Sequence, residues 1–208
     1  MPARSFVPNR VGSYECDAWV AYYRRQWARL LVVSVGLVRS GFRMRWDRTL
    51  HGAWLVLRAN QLWARLPVND ADGARRCMER FYRLVAADTG ESLDTVEAAR
   101  LEVEWWRVHR EHQHAAVGED EGDGVAGDGG DGGPAPGEAL VGALVDLYAF
   151  VYRCPPPEVR AAAELRARAM DVSDRWVALG CATDSPLVAH ERALLVRSYA
   201  ALLAAVHR

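Results

Sequence analysis

Residues 73–87 read GARRCMERFYRLVAA, and their spacing decides the fold class. Ala74, Cys77, Met78, Phe81, Leu84 and Val85 recur at intervals of three and four, while Arg75, Arg76, Glu79, Arg80 and Arg83 fill the positions between them. At 100° per residue the first set shares one face and the second set the opposite face, the pattern of an amphipathic helix. Asn69, Asp70 and Asp72 precede it. There, short polar side chains accept from free N–H groups and acids complement the positive end of the helix dipole. Gly90 follows the last apolar position, as a helix end favours.

The same period continues on both sides. Residues 16–38 are expected to form one helix. Residues 46–64 form another that is apolar on several sides, through Leu50, Trp54, Leu55, Val56, Leu57, Leu62 and Trp63, and so should sit centrally. A fourth begins near Asp94, where Asp94 and Glu97 have the spacing of a capping box. Residues 138–153 form a fifth, ended before Pro155, Pro156 and Pro157. Residues 158–179 form a sixth, closed by Gly180. Ser185 and Pro186 open the last, which ends near His207. Sustained alternation and Asn-Gly hairpin turns are missing, so strands are not expected. The fold class is all-α, a bundle of about seven helices. The helices over 46–64, after Asp94 and over 138–153 are expected at its centre.

Of the 208 residues 50% are hydrophobic, which is ample for a core, and the formal net charge is −1. That balance hides an uneven distribution. The first 65 residues are rich in arginine, and residues 115–137, AAVGEDEGDGVAGDGGDGGPAPG, carry acids without a base. This Gly/Asp-rich stretch can bury no surface and is expected to be a disordered acidic linker. It separates a four-helix part, 1–114, from a three-helix part, 138–208, expected to pack on the first. Removing residues 116–136 should leave the melting temperature nearly unchanged, because loop closure depends only slowly on length. All 26 basic residues are arginine. With abundant Ala, Gly and Val, this points to the codon usage of a GC-rich bacterium rather than to selection for guanidinium chemistry.

Cys16, Cys77, Cys154 and Cys181 are far apart and form no C-x-x-C pair, so they read as buried thiols in a reducing cytoplasm. The first residues lack a secretion signal. The longest apolar run, 30–38, falls well short of the ~20 residues a membrane span needs, so stable membrane insertion is not expected. Arg39, Arg43, Arg45 and Arg48 with Trp46 form a basic turn. Without a recognition helix it does not predict nucleic-acid binding.

Chemistry is concentrated in residues 101–114, LEVEWWRVHREHQH, which hold three of the six histidines. Glu102 and His109 are seven apart and so lie about 20° from each other on a helix, flanked by Trp105 and Trp106. A buried acid and imidazole must be paired or metal-bound. Pairing with each other, or with a buried arginine such as Arg58, is one reading; ligation of a metal by Glu102 and His109 is the other. His112 and His114 read as a solvated helix end. Arg166, Met170 and Asp174 share a stripe with Val159, Ala163 and Val177, and Gln61 lies among Leu50, Trp54 and Leu57. These polar groups are either satisfied within the core or line a small-molecule pocket.

In this one element the chain resembles the heme-oxygenase-like di-iron oxidases, whose ligand pairs include the spacing of Glu102 and His109. The resemblance implies iron, and further carboxylate and histidine ligands on later helices. His190 and Glu191 are the nearest candidates. Glu191 lies about 40° from the apolar position Leu195 and His190 about 140° away. Leu194 and Arg197 follow, so no second histidine completes the set unless Glu15, Asp17, Glu138, Asp146 or Glu164 contributes. Phosphate loops, serine elbows and H-E-x-x-H are absent. The expectation is therefore a cytoplasmic module without catalysis that binds a protein partner or a small molecule and needs no cofactor. The alternative is an iron-dependent helical oxidase.

Overall fold

The computed structural model describes residues 5–65, 68–119 and 137–207, and of 115–119 the backbone alone. Eight helices follow in order: α1 Pro8–Tyr23, α2 Trp27–Phe42, α3 Trp46–Trp63, α4 Ala71–Thr89, α5 Thr95–Glu119, α6 Glu138–Tyr152, α7 Pro156–Ala178 and α8 Pro186–Val206. No strand occurs among the described residues. Residues 120–136, inside the expected linker, lie outside the described residues.

The end signals read from the sequence work as side-chain chemistry predicts. Asp70 Oδ1 accepts the Gly73 N–H at 2.7 Å, and Gly90 ends α4 in the left-handed region at φ 69°. Ser185 accepts the Leu187 N–H at 3.3 Å to open α8. Asp94 accepts from Val96 and Glu97, each at 3.1 Å. Glu97, however, bonds Arg100, so the capping box is only half made.

The expected first helix is two. Pro8 starts α1 eight residues earlier than read, and the chain breaks at Arg24–Gln26. Arg25 adopts φ 56°, a left-handed conformation that costs a non-glycine residue about 1 kcal/mol. Its guanidinium donates to the Ala64 carbonyl at 3.0 Å and lies 5.6 Å from the Trp27 ring, contacts made only after folding. Nothing in the local run YYRRQW marks a stop, which is why one continuous helix was expected.

Each helix packs on its predecessor and its successor, and α8 returns to α1, so the eight form a closed ring in chain order. Neighbours run antiparallel. Arg48 meets Asp88 across α3 and α4, Tyr82 meets Glu102 across α4 and α5, and Cys16 meets Val188 while Arg192 meets Ser13 across α1 and α8. The two expected parts are joined at both seams of this ring, α5 against α6 and α1 against α8. A ring has no central helix. α3, expected at the centre, buries Leu55, Ala59 and Trp63 toward the ring's interior and Ala53 and Leu57 against its neighbours, while Trp46, Leu50 and Trp54 are exposed. None of the described helices is long and apolar enough to cross a membrane.

Candidate functional site

The inner faces of the eight described helices line a partly open cavity of about 400 Å³. Its wall is mostly aromatic, and every tyrosine of the chain except Tyr14 lines it, with Trp19, Trp63, Trp105 and Trp106. Three polar clusters interrupt the wall.

The first is built on α5. Glu102 Oε2 accepts the Tyr82 hydroxyl at 2.7 Å, and Oε1 accepts the Trp105 indole N–H at 3.1 Å. Both oxygens accept from neutral donors. Burial, then the charge of Glu102, push the Tyr82 phenol well above its usual range, so it remains the donor.

The second joins α1, α6 and α7. Arg166 forms an ion pair with Glu15, donates to the Tyr148 hydroxyl at 3.0 Å and stands 4.8 Å from the Trp105 ring centre. Burial opposes the guanidinium charge, but Glu15, Tyr148 and Tyr199 more than offset it. The cluster is not closed. Glu15 Oε2 and Arg166 Nε are buried without a hydrogen-bond partner among the described residues, as is the hydroxyl of Ser34, a third residue of the cavity wall.

The third sits toward the C-terminal ends of α1, α3 and α5. His109 Nε2 is 3.0 Å from Asp174 Oδ2 on α7, with its ring between those of Trp19 and Trp105. Gln113 donates to Asp174 and to the Tyr23 hydroxyl. Arg110 and Arg25 donate to the Trp63 and Ala64 carbonyls, each at 3.0 Å, and so cap the last turn of α3.

Helical spacing placed Glu102 and His109 on one face, and both do line the cavity. They are bonded neither to each other nor to Arg58: Glu102 takes Tyr82 and Trp105, His109 takes Asp174, and Arg58 donates to Gln61. Arg166 reaches the cavity, whereas Gln61 is not part of its wall. α5 continues beyond the histidines to Glu119, so His112 is no frayed end; it bonds Asp171 at 3.1 Å, while His114 is exposed. On α8, Glu191 is buried and His190 exposed, as the wheel gave. In the basic turn, Arg39 stacks on Trp46 and bonds the Arg43 and Met44 carbonyls, Arg45 pairs with Asp47 and Arg48 with Asp88.

A di-iron centre needs about six ligands from facing helices. No group of three or more His, Cys, Asp or Glu side chains that could hold a metal ion occurs among the described residues. The donor set present does not fit that centre. Sequence reasoning named Glu15 only as a possible further metal ligand and passed over Ser34 and Tyr82. The inward place of Glu15 could have been found: with α1 begun at Pro8, it falls on the stripe Val11, Glu15, Ala18, Tyr22. Ser34 and Tyr82 carry no local signal of a cavity.

No protein-family model, curated protein or solved structure matches this chain.

Proposed function

We propose that the protein is a small-molecule-binding module without catalysis of its own, and that the cavity inside the helix ring is its ligand site. One observation carries this reading: Glu15, Ser34 and Arg166 line the same aromatic cavity, and each holds a buried polar atom, Oε2, Oγ and Nε, that has no hydrogen-bond partner among the described residues. A buried polar atom left unpaired costs about 1–3 kcal/mol. A fold that places three of them on one cavity is therefore more stable with something inside that hydrogen-bonds. About 400 Å³ of mostly apolar wall with a few convergent polar groups is the usual construction of a small-ligand site. The unpaired thiols Cys16, Cys77 and Cys181 support a reducing, cytoplasmic setting.

The test is native mass spectrometry with solvent extraction of freshly purified protein, repeated on Val56→Trp, which fills the cavity from α3. A retained organic molecule that the variant loses is the expected result. An empty wild-type protein that also fails to take up an environment-sensitive dye would sink the reading. Metal analysis of the same chelator-free sample separates this reading from the iron-dependent oxidase, which requires stoichiometric iron.

A further inference from the structure

We propose that the cavity selects an organic monocation, an apolar molecule bearing one protonated amine, seated with its charge at Glu102; this rests on the cavity being the ligand site. The charges of the wall decide the sign. Arg166 and Glu15 neutralise each other as an ion pair. Arg110 and Arg25 are directed at the final carbonyls of α3, where the helix dipole is negative, and Arg25 is exposed. His109 has Asp174. Glu102 differs from all of these. Its two oxygens take neutral donors, the Tyr82 hydroxyl and the Trp105 indole, and no cationic side chain forms an ion pair with it among the described residues. Two neutral hydrogen bonds hold the half-buried carboxylate in place, with Arg166 over the Trp105 ring but in no direct ion pair with it.

The surroundings favour the same partner. Tyr82, Trp105, Trp106 and Tyr152 line the cavity, and aromatic faces attract a cation and repel an anion. Arg166 already uses this chemistry over Trp105 and Tyr148. Glu15 Oε2, which has no hydrogen-bond partner among the described residues, calls for an N–H or O–H donor. Each carboxylate oxygen can accept more than one hydrogen bond, so an ammonium can join Tyr82 and Trp105 at Glu102 without displacing either. The aromatic remainder of the cavity takes the apolar body.

Three probes with one body and three charges test this: phenylbutylamine, phenylbutanol and phenylbutyrate, titrated against the full chain by calorimetry at neutral pH. The amine is expected to bind about ten-fold more tightly than the alcohol, the combined range of a cation–π contact and a charge-assisted hydrogen bond. Glu102→Gln should weaken the amine far more than the alcohol and so abolish most of that preference. The Tyr82 hydroxyl can turn to accept from the new amide, so the variant keeps its local bonds. Equal binding of amine and alcohol by the wild-type protein overturns the proposal and leaves the cavity as a neutral ligand site. Tightest binding of phenylbutyrate overturns it too, and moves the charged contact to Arg110. Failure of all three probes to bind or to displace a cavity dye removes the proposal together with the ligand-site reading. Because the wild-type ranking is itself decisive, the test survives a poorly folded variant.

Discussion

Glu191 is fully buried on α8, and beyond the neighbouring Cys16 thiol its carboxylate oxygens have no hydrogen-bond partner among the described residues. Burial, then the nearby charge of Glu15, push its pKa up to about 8 against the partial opposition of Arg192. The same burial, with Glu191 beside it, raises the Cys16 thiol to about 12, so that cysteine stays protonated and unreactive. The sign of the pH dependence follows from linkage. Between about 4.5 and about 8 the unfolded chain has lost this proton and the folded chain keeps it, so stability falls as pH rises through that window. Glu191→Gln should therefore flatten the decline and be more stable than wild type above pH 8, by on the order of 3 kcal/mol. Urea unfolding of both proteins from pH 5 to pH 9 measures it; parallel curves would mean the carboxyl ionises freely. Asp174 is the opposite case, a well-used carboxylate holding His109 and Gln113. Asp174→Leu removes the partner of His109 and leaves Gln113 only the Tyr23 hydroxyl, and should cost about 1–3 kcal/mol in the same assay. His109, Glu102 and Arg166 were legible in the sequence as polar residues on apolar faces. Their partners were not, because Tyr82, Asp174 and Glu15 arrive from other helices and periodicity within one helix carries no information about its neighbours.

At the scale of elements, the seam between α1 and α8 closes the ring through backbone approach. A Cβ on Gly12 would stand 2.7 Å from the Val196 nitrogen and 2.8 Å from its Cα. Backbone atoms cannot rotate away as a side-chain tip can, so Gly12→Ala must push α8 outward. A loss of about 1–3 kcal/mol is expected in thermal or urea unfolding, with weaker dye uptake if the cavity wall shifts. An unchanged midpoint would mean that α8 is free to move. Gly142 on α6 has open space where its Cβ would go, and Gly142→Ala is the control: helix propensity predicts no loss and a gain of up to about 1 kcal/mol. Helix ends governed by local chemistry, such as Asp70, Gly90 and Ser185, were read correctly. The break at Arg24–Gln26 was not, since the left-handed Arg25 is held by the Ala64 carbonyl and Trp27 rather than by any glycine or proline in its own segment.

For the whole molecule, a ring in which each helix touches its two neighbours places the aromatic inner faces around a space rather than against a central helix. A cavity-bound ligand stabilises the folded state by mass action, roughly 2.7 kcal/mol at a hundred times its dissociation constant. A saturating ligand should thus raise the melting temperature of wild type and leave that of Val56→Trp unchanged, which differential scanning calorimetry would show. The sequence by itself determined the all-α class, most helix positions, and the sharing of one face by Glu102 and His109. Each of these depends on interactions between residues within a turn or two of each other, where spacing and capping chemistry suffice. Only the tertiary structure decided that the first expected helix is divided at Arg24–Gln26, that α3 turns Trp46, Leu50 and Trp54 outward, and that the polar groups gather on one cavity. Ring closure is a property of how helices from distant parts of the chain pack, and no local pattern of apolar residues distinguishes a face that meets another helix from one that lines a cavity.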